Sequence, residues 1–203
     1  KPSSAASDVY KRQVLANIDA DLCATVAAGL GLEAPAATTP PAEPTQLSPA
    51  VSQVGERWPV EGRNVGILVG PDSDISDVST VVEALGAAKL VPLVIAPHGG
   101  ALTNGDQSVP ISRTYATARS IEFDAVVIAG SAAAVQAKIL VDEAFRHFKG
   151  IAVLPQGADL LVRAGATDGA EGVLSGSDAS ALAASLIESM GEHRVWDRAV
   201  LLS

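Results

Sequence analysis

The chain is poor in sulfur and in aromatic side chains. Cys23 is its one cysteine, which excludes an internal disulfide and a metal cage built from several thiolates. Aromatic residues make up 3% of the sequence, whereas hydrophobic residues make up 48%. We therefore expect a core of alanine, valine, isoleucine and leucine, which suits buried parallel strands and the helices that cover them.

Two further absences limit the classes of partner. No apolar run reaches the ~18–20 residues that span a bilayer, so no membrane partner is expected. The net charge is −9, which argues against binding to a nucleic-acid backbone or an anionic membrane surface. Residues 1–13 are polar and lack the apolar stretch of a signal peptide; this slightly favours the cytoplasm and leaves secretion of a longer parent open.

The N-terminal part of the chain predicts a helix followed by a tether. Residues 9–32 predict one amphipathic helix, which needs a partner for its apolar stripe because a lone helix of this length is marginal in water. The stripe consists of Val14, Leu15, Ile18, Leu22, Val26 and Leu30. Residues 35–49 carry five prolines, which disfavour helix and central strand and predict an extended tether. We therefore divide the chain into a helical stub (1–33), a proline-rich linker (34–59) and a compact domain (60–203).

From residue 64 onwards, short apolar runs alternate with helical patterns. Strands are predicted at 64–70, 91–97, 124–130, 150–154 and 172–174, and helices at 75–89, 132–148, 158–164 and 179–190. Turn residues between 99 and 111 predict a small hairpin. Alternating strands and helices with short loops predict an α/β domain, a flavodoxin-like doubly wound parallel sheet with helices on both faces.

Ligands of such sheets bind at the carboxyl ends of the strands, and two of these ends carry polar groups. After the first strand, Asp72 could bind a ligand or assist acid–base chemistry, but capping of the next helix is the favoured explanation of residues 72–74. After the third strand, Gly130 and Ser131 could offer backbone amides to an anion. An ordinary strand-to-helix turn explains them too, because no GxGxxG motif or Walker lysine is present.

The turn after the fourth strand is where a nucleophile would be expected. Leu154, Pro155 and Gln156 occupy it, and none of them is a cysteine, serine or histidine, which argues against nucleophilic catalysis. The candidate pocket residues are therefore Asp72, Ser131, Pro155 and Gln156, with no catalytic residue and no cofactor ligand assigned.

The histidines and tryptophans suggest packing rather than chemistry. His98, His147 and His193 form no HxxxH or HxH pattern, so no metal site is expected. Trp58 and Trp196 flank the compact domain and are interpreted as packing anchors.

Several stretches resemble one family. Residues 65–85, 142–154 (DEAFRHFKGIAVL) and 192–198 (EHRVWDR) resemble the C-terminal domain of large-subunit monofunctional haem catalases. Residues 11–32 are similar to the last helix of a catalase core, which typically closes with a leucine-, alanine- and glycine-rich pattern. The resemblance covers nearly the whole chain, and its most specific parts are residues 19–32 and 193–198.

The resemblance implies a domain similar to class I glutamine amidotransferase and PfpI-type domains. Those domains carry a reactive cysteine at the turn that matches residues 154–156 and an acidic residue near the position of Asp72. The cysteine is absent here, so the resemblance implies no activity of this domain itself. The family's haem and its ligands belong to the upstream core, and Tyr10 and Tyr115 do not match the proximal-ligand pattern.

The expected function is therefore that of an accessory domain. The parent would convert hydrogen peroxide to water and oxygen with haem and form a homotetramer. This domain would stabilise the tetramer, contact the catalase core of the same protein, and act in a chaperone-like manner on unfolded client proteins. Two alternatives remain: a small hydrolase or amidotransferase-like enzyme that uses Asp72 and a neighbouring serine, and a small-molecule-binding sensor.

Overall fold

The structure, a computed structural model, describes residues 4–39 and 57–198, with the backbone alone for residues 4–10. Most of the predicted linker, residues 40–56, lies outside the described residues. The chain divides into two compact units, Lys1–Ser52 and Gln53–Ser203. The predicted boundaries at residues 33, 34, 59 and 60 stay a prediction.

The N-terminal unit contains two helices, α1 (Ser4–Ile18) and α2 (Ala20–Gly29), so the prediction of one continuous helix is wrong. The break is at Asp19, whose backbone is extended. Its carboxylate accepts hydrogen bonds from the amides of Asp21 and Leu22, both at 2.9 Å. An aspartate can cap a new helix in this way, and that local hydrogen bonding competes with continuation of α1.

Small side chains fill the contact between α1 and α2. Ala16, Cys23 and Ala27 are each 1% exposed, and the Cys23 thiol lies 3.5 Å from the Arg12 carbonyl oxygen. The predicted apolar stripe instead faces water, and five of its residues are exposed: Val14, Ile18, Leu22, Val26 and Leu30. These five side chains are therefore not covered by the part of the helical unit that the structure describes.

The second unit is built on a six-stranded parallel sheet. Its strands are β1 (Asn64–Leu68), β2 (Val91–Ala96), β5 (Arg113–Thr114), β6 (Ala125–Ile128), β7 (Gly150–Val153) and β8 (Val173–Ser175), in the order β5-β2-β1-β6-β7-β8. The predicted hairpin is present as the antiparallel pair β3 (Ala101–Asn104) and β4 (Gln107–Pro110). The helices are α3 (Ile75–Ala87), α4 (Val135–Arg146), α5 (Ala158–Arg163) and α6 (Ala179–Met190).

Helices cover both faces of the sheet, as predicted. Val78 of α3 and Leu186 of α6 pack with Ile67 in one buried cluster, whereas Leu140 of α4 and Leu160 of α5 belong to the cluster on the opposite face. The alternation of side chains along each strand explains the division, because successive residues point to opposite faces.

Two local features differ from the predictions. Strand β5, which pairs with the end of β2, was not predicted, since two residues are too few to form a pattern. Helix α4 begins at Val135 rather than at residue 132, because the backbone of Ala134 is still extended. Helices α3 and α6 begin at the predicted residues; Asp74, one of the predicted cap candidates, caps α3, and Asp178 caps α6.

The C-terminal tail packs against the turn that joins α4 to β7. The Arg198 guanidinium donates to the carbonyl oxygens of Phe145 (2.8 Å) and Glu171 (2.6 and 2.9 Å). The amide of Val195 donates to the Phe148 carbonyl at 2.8 Å, and the rings of Phe148 and Trp196 have centroids 6.5 Å apart. Trp196 is therefore a packing residue, as predicted.

Trp58 lies close in space to the end of helix α6. Its amide donates to the Gly191 carbonyl at 2.7 Å, but its side chain is 38% exposed, so its anchoring is largely through the backbone.

Candidate functional site

The order of the strands reverses between β1 and β6. From β1 the chain continues to β2 on one side, and from β6 it continues to β7 on the other. In open parallel α/β sheets this is where a crevice forms outside the carboxyl ends of the strands. The predicted candidates Asp72 and Ser131 lie in the two loops that follow these strands.

The structure brings Asp72 and Ser131 together, but as a tie between the loops. The Asp72 carboxylate accepts a hydrogen bond of 2.7 Å from the Ser131 amide. The Ser73 hydroxyl oxygen accepts one of 2.9 Å from the Gly70 amide. Helix α3 is capped by Asp74, so Asp72 is free to bridge the two loops.

Two glycines allow the loops to approach this closely. A Cβ at Gly130 would lie 2.2 Å from the Ser73 hydroxyl oxygen, and a Cβ at Gly70 would lie 2.0 Å from the Ser131 carbonyl oxygen. The loops after β1 and β6 are thus in close backbone contact at the reversal of strand order.

The turn after β7 carries the other two predicted candidates, and β7 is separated from β1 by β6 in the sheet. Leu154 is 1% exposed and has an ordinary extended backbone (φ −79°, ψ 157°), followed by a 3-10 turn at Pro155–Gly157. A nucleophile elbow instead needs a strained turn that presents a side chain. In the described part of the chain, positive φ outside glycine occurs at Lys89, Phe148 and His193.

Pro155 is exposed at this turn, whereas Gln156 is partly buried. The side-chain oxygen of Gln156 is buried and accepts no hydrogen bond from the described residues. The turn is held close to β6, since a Cβ at Gly157 would lie 2.4 Å from the Ile128 carbonyl oxygen. This geometry suits packing and provides no attacking group.

A pocket of ≈340 Å³ opens beside the turn, at the carboxyl ends of β7 and β8. Its apolar lining consists of Val153, Leu154, Pro155, Ala158, Leu161 and Val162. Pro155 is the one predicted candidate that lines it. The polar lining comes from Asp168, Ser175 and Ser177, and the Ser175 hydroxyl donates to the Asp168 carboxylate at 2.7 Å.

Sequence reasoning missed this pocket. Asp168 lies in a loop and Ser175 ends a strand of three residues, and nothing in their spacing connects them. The signal available in the sequence was the pair Ser175 and Ser177 at the end of a short predicted strand, since parallel strands place such residues at the same edge of the sheet.

A buried cluster of polar groups lies at the amino end of β6, at the end of the sheet away from the pocket. The Lys149 ammonium donates to the carbonyl oxygens of Ser120 and Phe123, and the Ser120 hydroxyl donates to Glu143 at 2.5 Å. Burial lowers the pKa of Lys149, with repulsion from Arg194 adding to the effect. Because the amine is committed to two backbone carbonyls, this lysine fixes the loop before β6.

The other candidates to place are the three histidines and Tyr115. His98 and His147 are exposed, and burial together with Arg194 and Arg63 lowers the pKa of His193. Tyr115 is 2% exposed, its hydroxyl donates to the Val69 carbonyl at 2.9 Å, and burial raises its pKa. Among residues 4–39 and 57–198 no three metal-ligating side chains cluster. No helix there has the length and apolar content to cross a bilayer.

Comparison with known proteins gives one consistent result. The sequence profile of the C-terminal domain found in long catalases matches residues 61–200. Catalase-2 of Bacillus subtilis (strain 168) is 32% identical over 194 residues, covering 92% of this chain and 28% of the relative. Catalase HPII of Pseudomonas aeruginosa is 34% identical over 199 residues, covering 92% and 27%. Catalase C of Rhizobium meliloti is 34% identical over 202 residues, covering 91% and 28%.

The extent of these matches is informative. The chain spans 27–28% of the length of these relatives. The match to the Bacillus subtilis catalase covers 92% of this chain, which is a longer stretch than residues 61–200. The similarity therefore also reaches into the segment before residue 61.

Proposed function

Since this chain belongs to the family of C-terminal domains found in long catalases, we propose that it is the accessory, non-catalytic domain of a large-subunit haem catalase. The parent would disproportionate hydrogen peroxide to water and oxygen. The observation that carries this proposal is the match over residues 61–200, together with relatives named as catalases whose similarity to this chain covers 91–92% of its length.

The side chains that the structure describes do not fit a haem site within this chain. The Tyr115 hydroxyl is committed to the Val69 carbonyl, and the Cys23 thiol is buried between α1 and α2. None of the described residues that line the pocket at β7 and β8 is a histidine, tyrosine or cysteine. We therefore assign haem and the peroxide chemistry to the parent's core and derive no step through this domain.

We also propose the finer fold. The central strands follow the order β2-β1-β6-β7-β8, which corresponds to the 2-1-3-4-5 order of flavodoxin-like sheets, with β5 added at one edge. This order supports a relation to glutamine amidotransferase and PfpI-type domains in which the reactive turn has become a packing turn, because Leu154 is buried there.

The helical unit supports a role in assembly. We propose that residues 1–33 end the catalase core, that residues 34–59 link the core to the α/β domain, and that the domain begins at residue 60. Ile18 and Leu30 are 64% and 65% exposed, and a helical pair that leaves such side chains in water is expected to pack against another apolar surface. The catalase core of the same protein, assembled as a homotetramer, is the partner that we propose for it.

Two measurements on the native protein test the proposal. The denatured mass of the native polypeptide should correspond to a chain between three and four times as long as this one, because the relatives have that length. Removing residues 60–203 from the parent should lower the melting temperature of the tetramer while the rate of peroxide breakdown per haem stays unchanged. A native chain of about 20.5 kDa, or loss of turnover per haem in a correctly assembled tetramer, would contradict it.

A chaperone-like role is a second candidate, favoured by the exposed stripe on α1 and α2. If this stripe holds unfolded clients, the chain should suppress aggregation of a reduced, unfolding test protein, and the exchange of Ile18, Leu22 and Leu30 for serine should abolish the effect. Suppression that survives this exchange would place client binding elsewhere.

The hydrolase alternative is tested by a panel of ester and amide substrates. We expect no turnover above the buffer rate, because the Asp72 carboxylate is bound to a backbone amide and not to a hydroxyl. Turnover that disappears in Asp72→Asn would revive the alternative.

A further inference from the structure

We propose that the pocket at the carboxyl ends of β7 and β8 binds a small amphiphilic cation, a primary amine attached to a compact hydrocarbon body. The proposal concerns the α/β unit alone and does not depend on the role suggested above for the parent protein.

The position and size of the pocket suit a ligand. Its volume of ≈340 Å³ lies within the range of small-molecule sites, about 300–1,000 Å³. It lies at the edge of the sheet where parallel α/β folds bind their ligands. At the same edge, the loops after β1 and β6 are joined by the hydrogen bond between Asp72 and Ser131, whereas a pocket is present beside β8.

The walls of the pocket select an apolar body. Leu154 and Leu161 are each 1% exposed and are fixed in the core, so they form a preorganised floor. Val162 lines the same pocket and is 69% exposed. A hydrocarbon group in contact with Val162 would remove apolar surface from water, which is the main source of affinity in such pockets.

The polar groups select the charge of the ligand. The Asp168 carboxylate accepts one hydrogen bond from the Ser175 hydroxyl and keeps further acceptor sites free, because an ionised carboxylate has about four lone-pair positions. The Ser177 hydroxyl lines the same rim. An ammonium group beside Asp168 would satisfy these acceptors through charge-assisted hydrogen bonds.

The basic residue that follows Val162 in sequence does not change this preference. Arg163 on α5 donates to Asp159 at 2.6 Å and to the Ala132 carbonyl at 2.9 Å, and none of the described residues that line the pocket is a lysine, arginine or histidine. With a net charge of −9 on the chain, the long-range field also attracts cations and repels anions. A carboxylate or phosphate ligand is therefore disfavoured.

The test uses three probes with the same carbon skeleton on the full chain: cyclohexylmethylamine, cyclohexylmethanol and cyclohexanecarboxylate, titrated at neutral pH and followed by amide NMR shifts. We expect the amine to produce saturable shifts at Leu154, Gly176 and Ser177. The alcohol should bind about threefold to fivefold more weakly, in line with the contribution of an exposed ion pair, and the carboxylate should bind more weakly still. No saturable shift with the amine, or equal binding of the three probes, would overturn the proposal.

Two pairs of variants locate the site. Asp168→Asn should weaken the amine about threefold to fivefold and leave the alcohol unchanged, whereas Asp106→Asn, an exposed carboxylate in the turn of the β3–β4 hairpin, should change neither. Ala158→Phe should fill the pocket and abolish the shifts with all probes, and its control is Ala184→Phe on the exposed side of α6.

The outcomes of the variants are decisive in either direction. If Ala158→Phe folds, as judged by circular dichroism, and still binds the amine, the pocket is not the site. If Ala158→Phe does not fold, the surface exchange Asp168→Asn decides: unchanged amine affinity there overturns the proposal.

Discussion

The guanidinium of Arg198 lies over the ring of Phe145, with its central carbon 4.5 Å from the ring centroid. The Arg198 side chain is 2% exposed, and it donates to the Phe145, Glu171 and Lys149 carbonyl oxygens without a carboxylate partner among these acceptors. Burial accordingly lowers its pKa to about 10. The two C-terminal stretches that carry the catalase resemblance, 142–154 and 192–198, are thus in direct contact through this residue.

Removing this guanidinium should destabilise the α/β unit. We expect Arg198→Ala to lower the free energy of unfolding by about 2–3 kcal/mol, because one buried and two partly buried carbonyl groups lose a charged donor. Urea unfolding followed by circular dichroism measures the change. Arg146→Ala is the matched control, since Arg146 forms an exposed pair with Asp142 at 3.1 Å, and we expect a loss below about 0.5 kcal/mol. Equal effects of the two variants would argue against a structural role for the Arg198 contacts.

The close approach of the loops after β1 and β6 predicts opposite effects of two glycine exchanges. Gly130→Ala should lower the free energy of unfolding by about 2 kcal/mol or more, because its methyl group would meet the Ser73 hydroxyl oxygen and the Gly70 nitrogen. Gly86→Ala, in helix α3 with no atom within 4 Å of the new carbon, should raise it by about 0.5–1 kcal/mol, since alanine favours helix. Thermal unfolding of both variants measures the pair, and a Gly130→Ala protein as stable as wild type would show that the loops are not closed.

The environment of His193 predicts a pH dependence of stability. Its pKa is lowered from 6.5 by burial and by the charges of Arg194 and Arg63, against a smaller opposing effect of Asp124. The unfolded chain therefore binds more protons than the folded chain below pH 6.5, and the contribution of this group to stability increases as the pH rises towards that value.

His193→Asn removes the titrating group and keeps a residue that tolerates the φ of 66° found at this position. The difference in unfolding free energy between wild type and variant should therefore increase as the pH rises through 6.5 and level off above that value, where neither state binds the proton. Urea titrations at a series of pH values give this difference, and a flat or falling difference would contradict the lowered pKa.

The exposed stripe of the helical unit predicts that one substitution has different effects on stability in this chain and in the parent catalase. Leu22→Ser should leave the unfolding free energy of this chain within about 0.5 kcal/mol of wild type, because Leu22 is 47% exposed. In the parent catalase the same exchange should lower the melting temperature of the assembly, if the stripe packs against the core. An unchanged melting temperature of the parent would show that the stripe does not pack against the core. Ala16→Ser, at a buried position, is the control that shows whether a destabilisation of the helical unit can be detected.

The sequence predicted most of the α/β unit for physical reasons that can be named. Helix α6 has the predicted bounds because Asp178 caps it and Met190 ends its apolar pattern. The core strands were recognisable because parallel strands buried on both faces are apolar throughout, as in the Ala125–Ile128 segment.

The failures also have particular causes. Apolar spacing continues through Asp19, so the pattern predicted one helix, whereas the aspartate acts as a cap between two. Asp72 was assigned as a possible acidic position of a pocket, but its partner, the Ser131 amide, comes from a loop 59 residues away. Lys149 and Arg198 were not predicted to be buried, since charged residues are rarely buried without partners and their carbonyl acceptors are invisible in the sequence.

The central place of β1 affects how this unit forms during translation. Val65 of β1 pairs with Pro92 of β2 on one side and with Ala125 of β6 on the other. One edge of β1 can be covered as soon as β2 leaves the ribosome, but the other must wait for β6, whose closure is non-local and therefore slow. In that interval a nascent chain presents an unpaired apolar strand edge, the kind of surface that promotes aggregation. The vulnerable stage of this unit is thus its synthesis, before residue 128 has emerged.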